Sequence, residues 1–231
     1  MMKNIPNEIQ AVLEKIWTET NPESMFLYGS SARDDFDEAS DFEVGLVFQK
    51  EKKVPRSELA KYHDFKNLKL YPFVLEELEV GKIDTPFPKA IYLSSLRDGG
   101  KTIFGKEVRE IIKEVKIDMI DLVESLGFSL GRAYCAVVSS RQNDMVAVQE
   151  NFSKAVFYGL QIKIFLKTNK LVHSYEQIVK EIGIREDIEL IENAMKVRKD
   201  ISSIEIPMLY RAISFLNEIL EEVRNGETSD V

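Results

Sequence analysis

The sequence predicts an α+β protein in two parts: a β-sheet with flanking helices over residues 1–110, and an all-α helical bundle over residues 111–231. Three observations carry this. Strand-length apolar runs at Met25–Tyr28, Phe42–Phe48 and Leu68–Val74 are bounded by Gly, Ser or polar residues. Beyond residue 106 apolar residues recur at spacings of three and four, the period of a helix with one buried face. Glycines become sparse over the same stretch, and no alternating strand pattern is left there.

Taken in order, residues 5–19 read as an amphipathic helix, with Ile5, Ile9, Val12, Leu13, Ile16 and Trp17 on one face and Pro6 near the start. The run Met25–Tyr28 is the first strand and breaks at Gly29-Ser30. In the second strand Phe42, Val44, Leu46 and Phe48 form a buried face, because successive strand side chains alternate; Asp41 and Glu43 lie on the other. A polar, lysine-rich stretch over 49–57 is an exposed loop before a short helix. Leu68–Val74 is the third strand, and Pro72, which has no N–H to donate to a ladder, makes it an edge strand or limits its length. A helix over 88–96 stops at Gly99-Gly100, and a short strand over 102–104 closes at Gly105. Helices are then expected near 107–115, 117–140, 145–168, 174–182, 186–199 and 207–224. Ser174-Tyr175-Glu176-Gln177 has capping-box spacing for the fourth of these.

The chain has 231 residues, 44% apolar and 30% charged, which is the composition of a globular protein able to bury a core. Its net charge of −8 argues against general nucleic-acid binding, which draws on dense Lys and Arg. The single cysteine, Cys135, excludes a disulfide framework and a cysteine metal site, and its apolar helical setting predicts burial. No apolar run is long enough to span a bilayer and no N-terminal leader pattern is present, so a cytoplasmic location is expected.

The residues that point to chemistry lie between Met25 and Phe48. Gly29 permits unusual backbone angles and Ser30 suits the N-cap of the segment that follows, so free amides and a hydroxyl would face a phosphate there. Asp41 and Glu43 share a strand face, and two adjacent carboxylates suit Mg²⁺, which takes one or two protein carboxylates and fills its shell with water and substrate phosphates. Together they suggest a nucleoside triphosphate held by its phosphates and a metal, hence nucleotidyl transfer.

Gly29-Ser30-Ser31-Ala32-Arg33 followed by Ser40-Asp41-Phe42-Glu43 resembles the signature of the DNA polymerase β-like nucleotidyltransferase superfamily, and most of all its minimal and kanamycin-type members. The resemblance implies Mg²⁺ on Asp41 and Glu43, an NTP such as ATP on Gly29, Ser30 and Arg33, and a hydroxyl-type acceptor. Asp34 stands where the family commonly has glycine, and Glu43 where it more often has aspartate. The family's third carboxylate, on the third strand, corresponds to Lys69 or to Tyr71 depending on the count, and neither is acidic. Asp64, Glu76 and Glu77 are the available substitutes. Arg97 and Lys101, near the closing strand, are within sequence reach of a phosphate.

The helical half resembles the C-terminal bundles of kanamycin-type enzymes and HEPN-type domains. Phe152, Ala155, Val156, Gly159, Ile162, Phe165 and Leu166 make the 145–168 helix central, and Gly159 would permit close helix packing. Glu150 and Lys154 are one turn apart on it. Antibiotic nucleotidyltransferases have a glutamate base and a lysine at similar spacing, which makes Glu150 a candidate base and Lys154 a candidate phosphate contact; an ordinary i,i+4 ion pair worth a few tenths of a kcal/mol is the reading the spacing alone favours. The arginine–histidine spacing of HEPN nucleases is met only by Arg56 and His63, outside the bundle. Exposed apolar positions on the bundle leave room for a homodimer. Two functions follow: transfer of a nucleoside monophosphate to a hydroxyl of a small molecule or protein, or nucleotide binding and antitoxin-like regulation on the same fold without turnover.

Overall fold

The computed structural model describes residues 5–32, 41–62 and 67–226. Its compact units are two: one formed by the chain up to Thr85 together with Tyr92–Lys116, the other by Pro86–Ile91 and the chain from Ile117 onward.

The first unit is built on a mixed sheet. Its elements are α1 (Asn7–Thr20), β1 (Ser24–Tyr28), β2 (Phe42–Phe48), α2 (Arg56–Leu59), β3 (Leu68–Val74), α3 (Leu75–Glu79), α4 (Lys89–Gly99, whose first residues fall in the other unit), β4 (Lys101–Gly105) and α5 (Val108–Ile111). The strand order is β3-β2-β1-β4, with β1 antiparallel to both β2 and β4 and β2 parallel to β3. A parallel neighbour needs a crossover, and the segment carrying α2 supplies it. β3 lies at an edge, where the missing N–H of Pro72 costs no ladder bond on the open side.

Helices cover both faces of this sheet. On one, Ile9, Val12, Leu13 and Ile16 of α1 pack with Met25, Leu27, Phe42, Val44, Leu46 and Phe48. On the other, Phe26, Tyr28 and Val47 pack with Leu75 and Leu78 of α3, Leu93 and Leu96 of α4, and Val108 and Ile111 of α5. The face expected to be polar on β2 is therefore polar only at its start: Glu43 is half-buried, while Gly45 and Val47 are buried. Gly45 is required there, since a Cβ would lie 2.3 Å from the Phe26 ring. The helix expected over 107–115 is the single turn α5. The chain turns extended at Ile112, which ends the helix after one turn, while Val108, Ile111 and Ile112 are all buried.

The second unit is a bundle of α6 (Met119–Arg141), α7 (Met145–Thr168), α8 (Tyr175–Glu181), α9 (Arg185–Lys199) and α10 (Ile206–Asn225). Asp118 caps α6 with a complete box: its Oδ1 accepts from Ile120 N and Asp121 N at 2.9 and 3.1 Å, and Asp118 N donates to Asp121 Oδ2 at 2.9 Å. Ser174 caps α8 through Gln177 N as its spacing predicts, but the Gln177 side chain accepts from His173 N, one residue earlier than a capping box requires. α7 is the axis of the unit, packed against α6, α8, α9 and α10. At Gly159 a Cβ would meet Leu216 Cδ2 at 2.4 Å, so α7 and α10 approach closely where glycine allows it. Cys135 is exposed, against expectation. α6 turns Ser125, Leu126, Ser129, Leu130, Ala133, Ala136 and Val137 inward, and Cys135 falls outside that stripe. Among the described residues no helix is long and apolar enough to cross a membrane.

Candidate active site

β1 ends at Tyr28 and the chain passes into a four-residue 3₁₀ turn, Gly29–Ala32. Gly29 has φ +62°, a conformation L side chains rarely adopt. It also lies directly under the Glu43 carboxylate: a Cβ on Gly29 would be 2.0 Å from Glu43 Oε2. Glycine is thus fixed twice over, by backbone angle and by the approach of an acid to the main chain.

Ser31 holds this arrangement together. Its hydroxyl donates to Tyr28 O at 2.7 Å, and Glu43 N donates to it at 3.3 Å, tying the end of β1 to the start of β2. Ser30 does not have the expected place as N-cap of a helix. It sits inside the 3₁₀ turn, and its hydroxyl has no hydrogen bond to another described residue. Within the described residues, Gly29–Ala32 offers a phosphate its turn amides and the Ser30 hydroxyl. Arg33, with Asp34 and Ser40, lies outside the described residues.

Asp41 directly precedes β2, and Glu43 is its second residue. Glu43 pairs with Tyr28 across the antiparallel ladder and with Lys69 across the parallel one. This register decides between the two positions open for the third carboxylate. Lys69 stands beside the acids, and its Nζ is 2.5 Å from Asp41 Oδ2. Tyr71 pairs with Gly45, packs edge-on against Tyr28 at 5.7 Å between ring centres, and carries the Arg56 guanidinium over its ring at 4.7 Å. Glu76 and Glu77 open α3 beyond the far end of β3, roughly 16 Å or more along the strand from Lys69 at the ordinary rise per residue. They are too distant to substitute. Asp64 lies outside the described residues.

The electrostatics follow from this packing. The hydrogen bond to Asp41, with the charges of Asp41, Tyr71 and Glu43 behind it, holds the Lys69 ammonium above the usual lysine range, against an opposing effect of burial. Burial, followed by the neighbouring Tyr92, Glu43 and Tyr71, pushes the Tyr28 phenol far above its usual range, so it is a neutral hydroxyl at the foot of the site. Lys101 opens β4 opposite Leu27, at the sheet end that carries the Gly29 turn, and Arg97 is tied to Asp98 at 2.6 Å.

A divalent cation can be tested against these residues. Asp41 and Glu43 have the right chemistry for Mg²⁺. The cationic place beside Asp41, however, is taken by an ammonium, and among the described residues no group of three His, Cys, Asp or Glu side chains is placed to hold a metal. The described residues do not fit a resident divalent cation. Glu150 and Lys154 are on α7, in the other unit, where Lys154 Nζ and Glu150 Oε1 are 2.6 Å apart with both side chains about half exposed.

No family model matches the chain, and no curated protein matches it. Among solved structures, its fold is similar to that of spectinomycin adenyltransferase AAD(9) from Enterococcus faecialis, determined with ATP and spectinomycin. The TM-score is 0.62 at 13% identity, covering 95% of this chain and 100% of that one. At that identity the likeness is one of fold: the chain shares the α+β architecture of that structure.

Proposed function

We propose that this chain binds a nucleoside triphosphate, ATP in the first instance, at the Gly29–Ala32 turn and transfers its nucleoside monophosphate to a hydroxyl-type acceptor. The observation that carries this is the seating of the Glu43 carboxylate over the Gly29 main chain, which brings an acid and the turn amides to one point. The fold shared with a structure that holds ATP and spectinomycin supports it. In the transfer, the acceptor oxygen forms a bond to the α-phosphorus. The bond from that phosphorus to the bridging oxygen breaks, pyrophosphate leaves with the electron pair, and the acceptor proton passes to a base. The turn amides and Ser30 bind and orient phosphate oxygens, Ser31 fixes the turn against β2, and Lys69 and Lys101 offset negative charge. Arg33 is assigned to charge neutralisation on its place in the sequence signature.

Glu150 and Lys154 keep candidate roles as acceptor base and phosphate contact. Glu150→Gln decides the first: lost transfer with unchanged ATP affinity identifies a base, and unchanged turnover makes the pair an ordinary helix ion pair. A second reading, ATP binding without turnover, is favoured by one observation, the lysine in place of a third acid. The experiment that separates the two is incubation with α-labelled ATP and a panel of hydroxylated acceptors, starting with spectinomycin. Label transferred to an acceptor with release of pyrophosphate establishes the transferase. ATP binding with no transfer to any acceptor establishes the binding protein. If ATP does not bind, both readings are lost.

A further inference from the structure

We infer that Lys69 is the built-in counter-ion of this site. Its ammonium takes the place of a divalent cation against Asp41 and Glu43, leaving the site refractory to divalent metals and its nucleotide binding independent of them. The inference rests on the nucleotide-binding part of the reading above; whether transfer follows does not matter to it.

Two geometric facts point here. The parallel register sets Lys69 directly beside Glu43, on the same sheet face, so the strand and not a flexible loop fixes where the side chain starts. Lys69 Nζ is then bonded to Asp41 Oδ2 at 2.5 Å. One ammonium in reach of two carboxylates supplies the charge that would otherwise come from a metal.

A divalent ion that binds Asp41 either displaces the ammonium from Oδ2 or takes Oδ1 with the ammonium still beside it. In both cases the incoming ion meets a like charge held nearby on a tethered stem. A phosphate group meets the opposite situation. An ammonium has three N–H donors, and one of them serves Asp41, so the others remain for phosphate oxygens. The acids are thereby used to position a lysine, and the lysine is used on the anion. Lys101, at the same end of the sheet, adds a second positive charge.

The test uses Mn²⁺ alone as the metal probe and ATP as the nucleotide probe, both on the full chain. By electron paramagnetic resonance, the wild-type protein is expected to show no saturable Mn²⁺ binding at millimolar metal. Lys69→Met should gain it, Lys69→Asp should bind at least about tenfold more tightly than Lys69→Met, and Lys69→Arg, which keeps the charge, should not gain it. Adding Asp41→Asn to Lys69→Met should remove the gained site. By calorimetry, ATP should bind wild type with affinities within about threefold of each other in Mg²⁺ and in EDTA. Wild-type Mn²⁺ binding as tight as that of Lys69→Met overturns the inference, as does ATP binding that requires Mg²⁺. ATP binding in neither condition overturns the proposed function instead, and the Mn²⁺ comparison still decides the role of Lys69.

Discussion

Gly29 carries two constraints that a single substitution violates together. Gly29→Ala has to hold φ +62° and also to push Glu43 Oε2 away from a Cβ it would meet at 2.0 Å. A cost of about 1–3 kcal/mol is expected for such a strained site, read as a lower urea midpoint, with loss of ATP affinity. The neighbouring serines should separate. Ser31→Ala loses the bonds to Tyr28 O and Glu43 N and should cost about 1 kcal/mol. Ser30→Ala should leave the urea midpoint unchanged and weaken ATP binding. Equal effects of the two would contradict the roles assigned to them. Lys69 gives a pH signature. Its folded pKa is raised, so what the Asp41 pair contributes is fully present below the ordinary lysine value of about 10.4 and is lost as pH rises through the higher folded value. Both side chains are well exposed, so solvent screening keeps this to a fraction of a kcal/mol. The urea-midpoint difference between wild type and Lys69→Met should accordingly hold from neutral pH to about 10 and shrink above it. At this scale Gly29, Asp41 and Glu43 were legible because a glycine break and paired acids are local signals. Ser31 and Lys69 were not: the work of Ser31 depends on a strand that returns beside it, and the role of Lys69 depends on a parallel register set by tertiary packing.

Elements were legible where their period was unambiguous. α7 was expected over 145–168 and is found over Met145–Thr168, because its apolar residues repeat on helical spacing and Asp144 and Asn169 bound it. β2 was read with one buried face, but helices cover both sides of the sheet, and alternation cannot show that when the second face is buried through a glycine and a valine. Gly45→Ala tests that packing. The Phe26 ring is fully buried and cannot swing away from a Cβ 2.3 Å off, so overpacking should cost about 1–3 kcal/mol and lower the melting temperature. In the bundle, Asp118→Ala removes both bonds that the cap accepts and should cost about 1 kcal/mol by chemical denaturation. An unchanged midpoint would mean that α6 is held by packing alone.

For the whole molecule, the α+β class follows from one change in period along the chain, from strand runs to helical spacing, and that change is strong enough to survive errors at individual boundaries. Of the two readings that Pro72 allowed for β3, an edge place or a shortened strand, the sheet order gives the edge. What could not be read is how strands separated by a crossover align, and that alignment decides which side chain faces Asp41 and Glu43. The acceptor belongs to the same class of property, since it depends on surfaces assembled from distant parts of the chain. The measurement that bears most directly on the central claim is calorimetric titration of ATP into the wild-type chain and into Gly29→Ala, with the fold of the variant confirmed by circular dichroism. Saturable binding by wild type, weakened at least about tenfold in the variant, is the result expected if the phosphates sit on the Gly29 turn. Absence of binding at millimolar ATP, or equal affinity in the two proteins, would contradict it.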